Sequence, residues 1–153
     1  MSEVPVRASP RTAVPEAPTT SRRAGIASKE VGYYLDALQG RLMQEMPKDV
    51  GVVRQGHRIA VEIPNAEDAT RFAETLQSVA KVLVEYHSVR VTLRSAPSAG
   101  ETQTIAESRA HDAAHTLTRH GVAAGRIDVA DGIPPIAAAH VELLLEPIVR
   151  SDN

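Results

Sequence analysis

The stretch that decides the fold is Ile105-Ala-Glu-Ser-Arg-Ala-His-Asp-Ala-Ala-His-Thr-Leu117, which continues through Gly121-Val122 to Arg126-Ile127. Its apolar and small side chains recur at helical spacing, which predicts a helix from about Glu101 to His120. The residues expected to face inward are Ile105, Ala110, Ala113, Ala114 and Leu117. Gly121 suits the left-handed conformation that ends many helices, and a short strand is predicted over 126–129.

Strand and helix patterns alternate on both sides of this stretch. Ile59, Val61 and Ile63 alternate with other residues after a hairpin turn predicted at Gln55-Gly56, which indicates a strand. A second helix is predicted after Asn65 as its N-cap, with an inward stripe of Phe72, Leu76, Val79, Leu83 and Tyr86. Strands are also predicted over 88–94 and 140–145. The order strand, helix, strand, helix, strand, strand (βαβαββ) predicts an α+β fold, a two-layer sandwich of helices over a mixed sheet.

The N-terminal part of the chain divides into a tail and a helix. Residues 1–24 are rich in proline and alanine and carry four arginines and two glutamates, which predicts a disordered tail of net charge +2. A helix is predicted from Ile26 to Met46, because apolar residues form one stripe and Pro47 stops it. The residues of that stripe are Val31, Leu35, Leu38, Leu42 and Met46.

Composition excludes several classes of function. The chain is 42% hydrophobic and 24% charged, as globular domains are, but only 3% aromatic and without cysteine. Cysteine-based zinc sites, thiol catalysis and disulfides are therefore excluded. The formal charge of −2 argues against nucleic acid as a partner, and no apolar run is long enough for a transmembrane segment. No signal peptide is recognised, so we expect either a cytoplasmic protein or one whose export signal has been removed.

In order and wording, the core resembles the OmpA-like C-terminal domain family, which attaches bacterial outer-membrane proteins to peptidoglycan. The helix quoted above resembles the family's "LSxxRAxxVxxYLxxxGv…ri" stretch, and His140-Val141-Glu142-Leu143 resembles its "RRVEI" strand. The opening Val31-Gly32-Tyr33-Tyr34-Leu35-Asp36 is similar to the region before this domain in OmpA-family lipoproteins. The resemblance covers roughly residues 31–148. We therefore expect a disordered tail at 1–24, an accessory helix and hairpin at 25–64, and an OmpA-like domain at 58–150.

The resemblance implies a binding site for the diaminopimelate of the peptidoglycan stem peptide. In the family an Asp in a turn after the second core strand takes the ammonium of the ligand, and an Arg at the helix start takes its carboxylate. Arg109 falls on that Arg. Ser95 and Ala96 follow Arg94 in the predicted turn, and Ala96 replaces the Asp, while His140 stands where the family has an Arg. The loss of one charged partner weakens such a contact by about 2–5 kcal/mol.

Three functions remain open, and none needs a cofactor. The first is a non-catalytic envelope module that is degenerate in peptidoglycan binding and serves as a scaffold or protein-interaction domain for another envelope protein. The second is peptidoglycan anchoring through Arg109. The third is a metal- or pH-responsive domain, since His111 and His115 are four residues apart on one helix. No catalytic motif occurs, so an enzyme is not expected. Periplasmic or outer-membrane placement follows only if an export signal has been removed.

Overall fold

The computed structural model describes residues 25–130 and 139–150, which form a five-stranded sheet and three α-helices. The helices are α1 (Val31–Glu45), α2 (Ala69–Glu85) and α3 (Gln103–Arg119). The strands are β1 (Gly51–Gln55), β2 (Arg58–Pro64), β3 (Val89–Ala96), β4 (Ile127–Val129) and β5 (His140–Pro147). Short 3-10 turns span Ser28–Glu30 and Ala124–Arg126.

The strand order in the sheet is β1-β2-β5-β3-β4, so the last strand of the chain lies in the middle. All neighbours are antiparallel except β3 and β4, which are parallel. The hairpin between β1 and β2 turns at Gly56-His57, where Gly56 adopts a φ of 63° that side chains disfavour. The sheet is therefore mixed, and the predicted two-layer α+β fold with a βαβαββ core is confirmed.

One face of the sheet forms the core together with the helices. Alternate residues of β2, β3 and β5 point to this face, as the two-residue period of a strand requires, and they pack with the apolar stripes of α1 and α2. Leu35, Leu38 and Leu42 on α1 are fully buried, which confirms the stripe predicted there. The helix of the N-terminal region thus packs in the same core as the rest of the described chain.

Several predicted boundaries are wrong. Ile26 lies in a short parallel bridge with Val149, and α1 begins only at Val31. The N-cap of α2 is Asp68, whose carboxylate accepts a hydrogen bond from the Arg71 backbone N–H. Asn65, predicted as the cap, instead takes a left-handed φ of 54° in the preceding turn. The helix therefore begins later than the sequence indicated.

The inward face of α3 differs from the prediction in one position. Ile105 is 46% exposed, whereas Ala106 beside it is fully buried. Ala110, Ala113 and Leu117 face the core as predicted. The first turn of α3 presents Ile105 towards the neighbouring α2 instead of the sheet, and this position matters for the cleft described below.

Some predictions lie outside the described residues, namely the tail at 1–24 and the loop that follows residue 130. The division into segments at 25–64 and 58–150 stays a prediction. Within residues 25–130 and 139–150, no helix is long and apolar enough to cross a membrane.

Candidate functional site

Arg109 lies in the second turn of α3 and is held by a carboxylate of the same chain. Its guanidinium donates two hydrogen bonds to Glu101, from Nη1 to Oε1 at 3.1 Å and from Nη2 to Oε2 at 2.8 Å. The Arg109 side chain is 13% exposed and that of Glu101 is 21% exposed. This is the paired, fork-to-fork arrangement by which arginine recognises carboxylates in general. The residue that the resemblance assigned to a ligand's carboxylate therefore already has one.

The loop before α3 explains why Glu101 reaches Arg109. Gly100 adopts a φ of 89°, which an L side chain rarely takes, and the Glu101 backbone N–H closes a turn onto the Ser98 carbonyl at 3.0 Å. Thr102 then caps the helix by accepting a hydrogen bond from the Ile105 N–H. Because the turn is tight and α3 begins directly after it, Glu101 lies beside the start of the helix. From there its side chain reaches Arg109, which lies eight residues later in the chain.

Electrostatics keep Glu101 ionised. The hydrogen bonds from Arg109, with a second contribution from the Ser98 backbone N–H at 2.9 Å, lower the pKa of Glu101 from 4.5 to about 2. The carboxylate is therefore charged at every pH where the protein is expected to work. Glu101 was not predicted as a partner of Arg109, although an acidic residue just before the Arg109 helix was a visible signal.

The turn predicted at Arg94, Ser95 and Ala96 is wrong, whereas the ligand-binding role of these residues and of His140 stays a prediction. Arg94, Ser95 and Ala96 are the last residues of β3, because the pairing with β5 continues to His140, which lies opposite Ala96. Ser95 is buried and its hydroxyl donates to the backbone carbonyl of Ala106, while Ala96 is fully buried.

Arg94 also makes an ion pair within the chain. Its Nε and Nη2 donate to one carboxylate oxygen of Glu142 at 3.0 and 2.6 Å, across the β3–β5 pair. Glu142 is itself buried in the sheet. Arg94 therefore neutralises a neighbouring strand residue and does not point a free charge at the region around Arg109.

A cleft of about 410 Å³ lies between the N-terminal half of α2 and α3. Of the five predicted site residues, Arg109 alone is among the described residues that line it. Its wall is mostly apolar, with two carboxylates, and its lining residues include Glu67, Phe72, Leu76, Ile105 and Asp112. The volume is in the range of small-molecule and peptide side-chain sites. The site that the structure offers is thus beside Arg109, on the helix side, and not at the end of β3.

The histidines of α3 lie on its solvent face. His111 and His115 are both exposed, as is Glu107 one turn before them. Among the described residues no group of three histidine or carboxylate side chains is placed to hold a metal ion. Within the described residues, a metal response of this helix would therefore depend on His111 and His115.

Comparisons with known proteins find similarity in structure. A putative MotB-like protein from Desulfovibrio vulgaris superimposes with a TM-score of 0.65 over 78% of this chain and 95% of that one, at 11% identity. The OmpA-like domain of FopA1 from Francisella tularensis matches with a TM-score of 0.50 over 71% of this chain and 92% of that one, at 15% identity. This chain has the OmpA-like fold. The predicted resemblance to OmpA-like C-terminal domains is thereby confirmed for the fold.

A third neighbour in structure is the periplasmic domain of Helicobacter pylori MotB, with a TM-score of 0.56 and 13% identity. It matches over 65% of this chain and 80% of its own length. No protein-family model matches the sequence, and no curated protein is significantly similar to it. At such low identities the comparisons establish the OmpA-like architecture and assign no ligand.

Proposed function

We propose that this chain is a non-catalytic cell-envelope module whose OmpA-like groove is degenerate in peptidoglycan binding. It would act as a scaffold or protein-interaction domain in an envelope or secretion assembly. The observation that carries the proposal is the hydrogen-bonded pair of Arg109 and Glu101. If a diaminopimelate carboxylate binds Arg109 as the resemblance implies, it has to compete with the Glu101 carboxylate for the same guanidinium.

At the positions that the resemblance assigns to the ligand, neither charged group of a zwitterion finds a free partner among the described residues. Its carboxylate would have to displace Glu101, which is already ionised, tethered and held from two sides. Its ammonium would meet Ala96 where the family has an acid, and Ala96 is buried in β3. A ligand that must break an internal ion pair loses affinity by the free energy of that pair, so weak or absent binding is expected.

An exposed face of α1 supports the interaction role. Tyr33 is 81% exposed and Met43 is 62% exposed, although both are large side chains that commonly anchor interfaces. Gly40 lies on the same side of the helix, and a Cβ built on it would meet nothing within 4 Å. Another protein could therefore approach the α1 backbone closely. The cell envelope is proposed as its compartment because the MotB neighbour in structure is a periplasmic domain.

Peptidoglycan anchoring through Arg109 is the second candidate. It is favoured by one observation, which is that Arg109 lines an open cleft of about 410 Å³ beside its partner Glu101. In this reading the ligand's carboxylate replaces Glu101 when it binds. The two candidates differ in whether the wild-type chain binds a stem peptide at all.

An amide-shift titration of the full chain with a soluble diaminopimelate-containing stem peptide separates them. If the chain is the proposed non-binding module, we expect no amide chemical-shift changes at millimolar peptide. Shifts clustered around Arg109, Glu101 and Ala96, and abolished by Arg109→Ala, would establish anchoring and overturn the proposal. His111→Ala serves as a control, because this exposed residue lies away from the described lining of the cleft.

A further inference from the structure

Among the described residues, those that line the cleft between α2 and α3 carry uncompensated negative charge. Arg109 contributes no net charge to it, because Glu101 neutralises the guanidinium. Glu67 and Asp112 line the same cleft, and neither makes an ion pair with any residue in the described part of the chain. Two carboxylates therefore flank the cleft with no cationic partner in the part of the chain that the structure describes.

The floor of this acidic cleft is apolar. Phe72 and Leu76 contribute to it from α2, and Ile105 contributes from α3 with 46% of its surface exposed. Exposed apolar surface next to unpaired carboxylates is the chemical complement of a segment that carries both aliphatic and basic side chains.

The chain itself contains such a segment before the first described residue. Residues 4–14 read Val-Pro-Val-Arg-Ala-Ser-Pro-Arg-Thr-Ala-Val, with arginines at positions 7 and 11 and no acidic residue. Its formal side-chain charge of +2 matches the −2 of Glu67 and Asp112. Its valines supply small aliphatic side chains for a floor of this size.

The geometry of the fold allows this segment to reach the cleft. Ile26 is anchored beside Val149, just beyond the end of β5. The cleft lies towards the opposite end of β5, where the Ala66 N–H donates to the Ala139 carbonyl. A strand of 8 residues is about 27 Å long. Eleven residues of extended chain between Val14 and Gly25 span about 36 Å, which is enough.

We infer that residues 4–14 of this chain dock in the cleft between α2 and α3, with Arg7 and Arg11 against Glu67 and Asp112. The interaction is intramolecular and electrostatic, so it weakens as salt increases. It goes beyond the proposed function, since it uses the two carboxylates of the cleft and not the Arg109 fork. A protein that binds the cleft would have to compete with this segment.

A paramagnetic label tests the inference on the full chain. The sequence contains no cysteine, so Ser9→Cys creates one attachment point for a nitroxide. We expect the label to remove amide signal intensity around Ala69 and Ala73 on α2 and around Ser108 on α3, and chemical reduction of the nitroxide to restore it. Added salt should also restore the intensity.

Charge variants decide whether the contact is the one inferred. In Glu67→Gln/Asp112→Asn, the intensity loss at the cleft should disappear. The matched control Glu74→Gln/Glu107→Gln removes one exposed acid from each of the same helices outside the described cleft lining, and it should leave the loss unchanged.

Three results would overturn the inference. The first is intensity loss confined to residues near Gly25, and the second is loss at the cleft that both double variants leave in place. The third is loss on isotope-labelled chains when the nitroxide is carried only by other, unlabelled chains, because a second copy would then supply the segment. Each outcome is independent of whether a stem peptide binds near Arg109.

Discussion

Replacing Arg109 by glutamine should raise the pKa of the Glu101 carboxyl from about 2 towards its ordinary value of 4.5. Two hydrogen bonds from the guanidinium are the largest cause of the low pKa, and the substitution removes both. The hydrogen bond from the Ser98 backbone N–H remains, so the pKa should stop short of 4.5. The Arg109 side chain is partly exposed, and the variant is expected to fold.

The size of this change is large enough to measure at a single pH. At pH 3 a carboxyl with a pKa of about 2 is about 90% ionised, whereas one with a pKa of 4.5 is about 3% ionised. Carbon-13 titration of the Glu101 side-chain carboxyl gives both values directly. Glu45 is an internal reference, because its own pKa is lowered by Arg41 and should not change in the Arg109 variant.

Stability should follow the same pattern with pH. The pKa of Glu101 is lower in the folded chain than in the unfolded one, so the pair stabilises the fold fully above about pH 4.5. That stabilisation is lost as the pH falls towards 2. The free energy of unfolding of Arg109→Gln should therefore decrease less over this range than that of the wild type. The reasoning is refuted if Glu101 titrates near 4.5 in the wild type or near 2 in the variant.

Two further substitutions test the packing that holds the site in place. Arg126 donates hydrogen bonds to the backbone carbonyls of Leu83, Tyr86 and Val89 at 2.9–3.0 Å. Arg126→Met removes this donor from all three carbonyls, so it should lower the free energy of unfolding by about 3 kcal/mol, as measured by urea titration. A loss below about 0.5 kcal/mol would mean that water replaces the guanidinium as the donor. Gly40→Ala should raise the melting temperature, because alanine favours a helix by about 1 kcal/mol and its Cβ meets no atom; a decrease would show that α1 is covered at this position.

Sequence alone predicts those features of this fold that depend on periodicity. The apolar residues of such a pattern mark the buried face of the element. This holds for Leu35, Leu38 and Leu42 on α1 and for Ile59, Val61 and Ile63 on β2, all of which are buried. Such patterns are repeated over several turns or residue pairs, so each position supports the others. The order of elements and the mixed sheet could therefore be predicted, together with the left-handed glycine after α3 at position 121.

The site could be predicted only in part, because it depends on single contacts. Arg109 was identified, but its contact with Glu101 depends on how the six-residue loop between β3 and α3 turns at Gly100. Ser95 was expected in an open turn, yet a polar residue can be buried in a strand when it finds a partner, here the Ala106 carbonyl. Neither contact leaves a repeated pattern in the sequence. Ile105 shows the opposite case, in which a pattern misleads. Its spacing fits the inward stripe of α3, so it was predicted to face the core, but its side chain lines the cleft.

The central claim is that Glu101 fills the carboxylate-binding fork of Arg109, and neutralising Glu101 tests it most directly. We would measure the affinity of a soluble diaminopimelate-containing stem peptide for the wild type, for Glu101→Gln and for the matched control Glu107→Gln. We expect binding to become detectable in Glu101→Gln and to remain undetectable in the other two. Binding by the wild type that is as tight as binding by Glu101→Gln would contradict it.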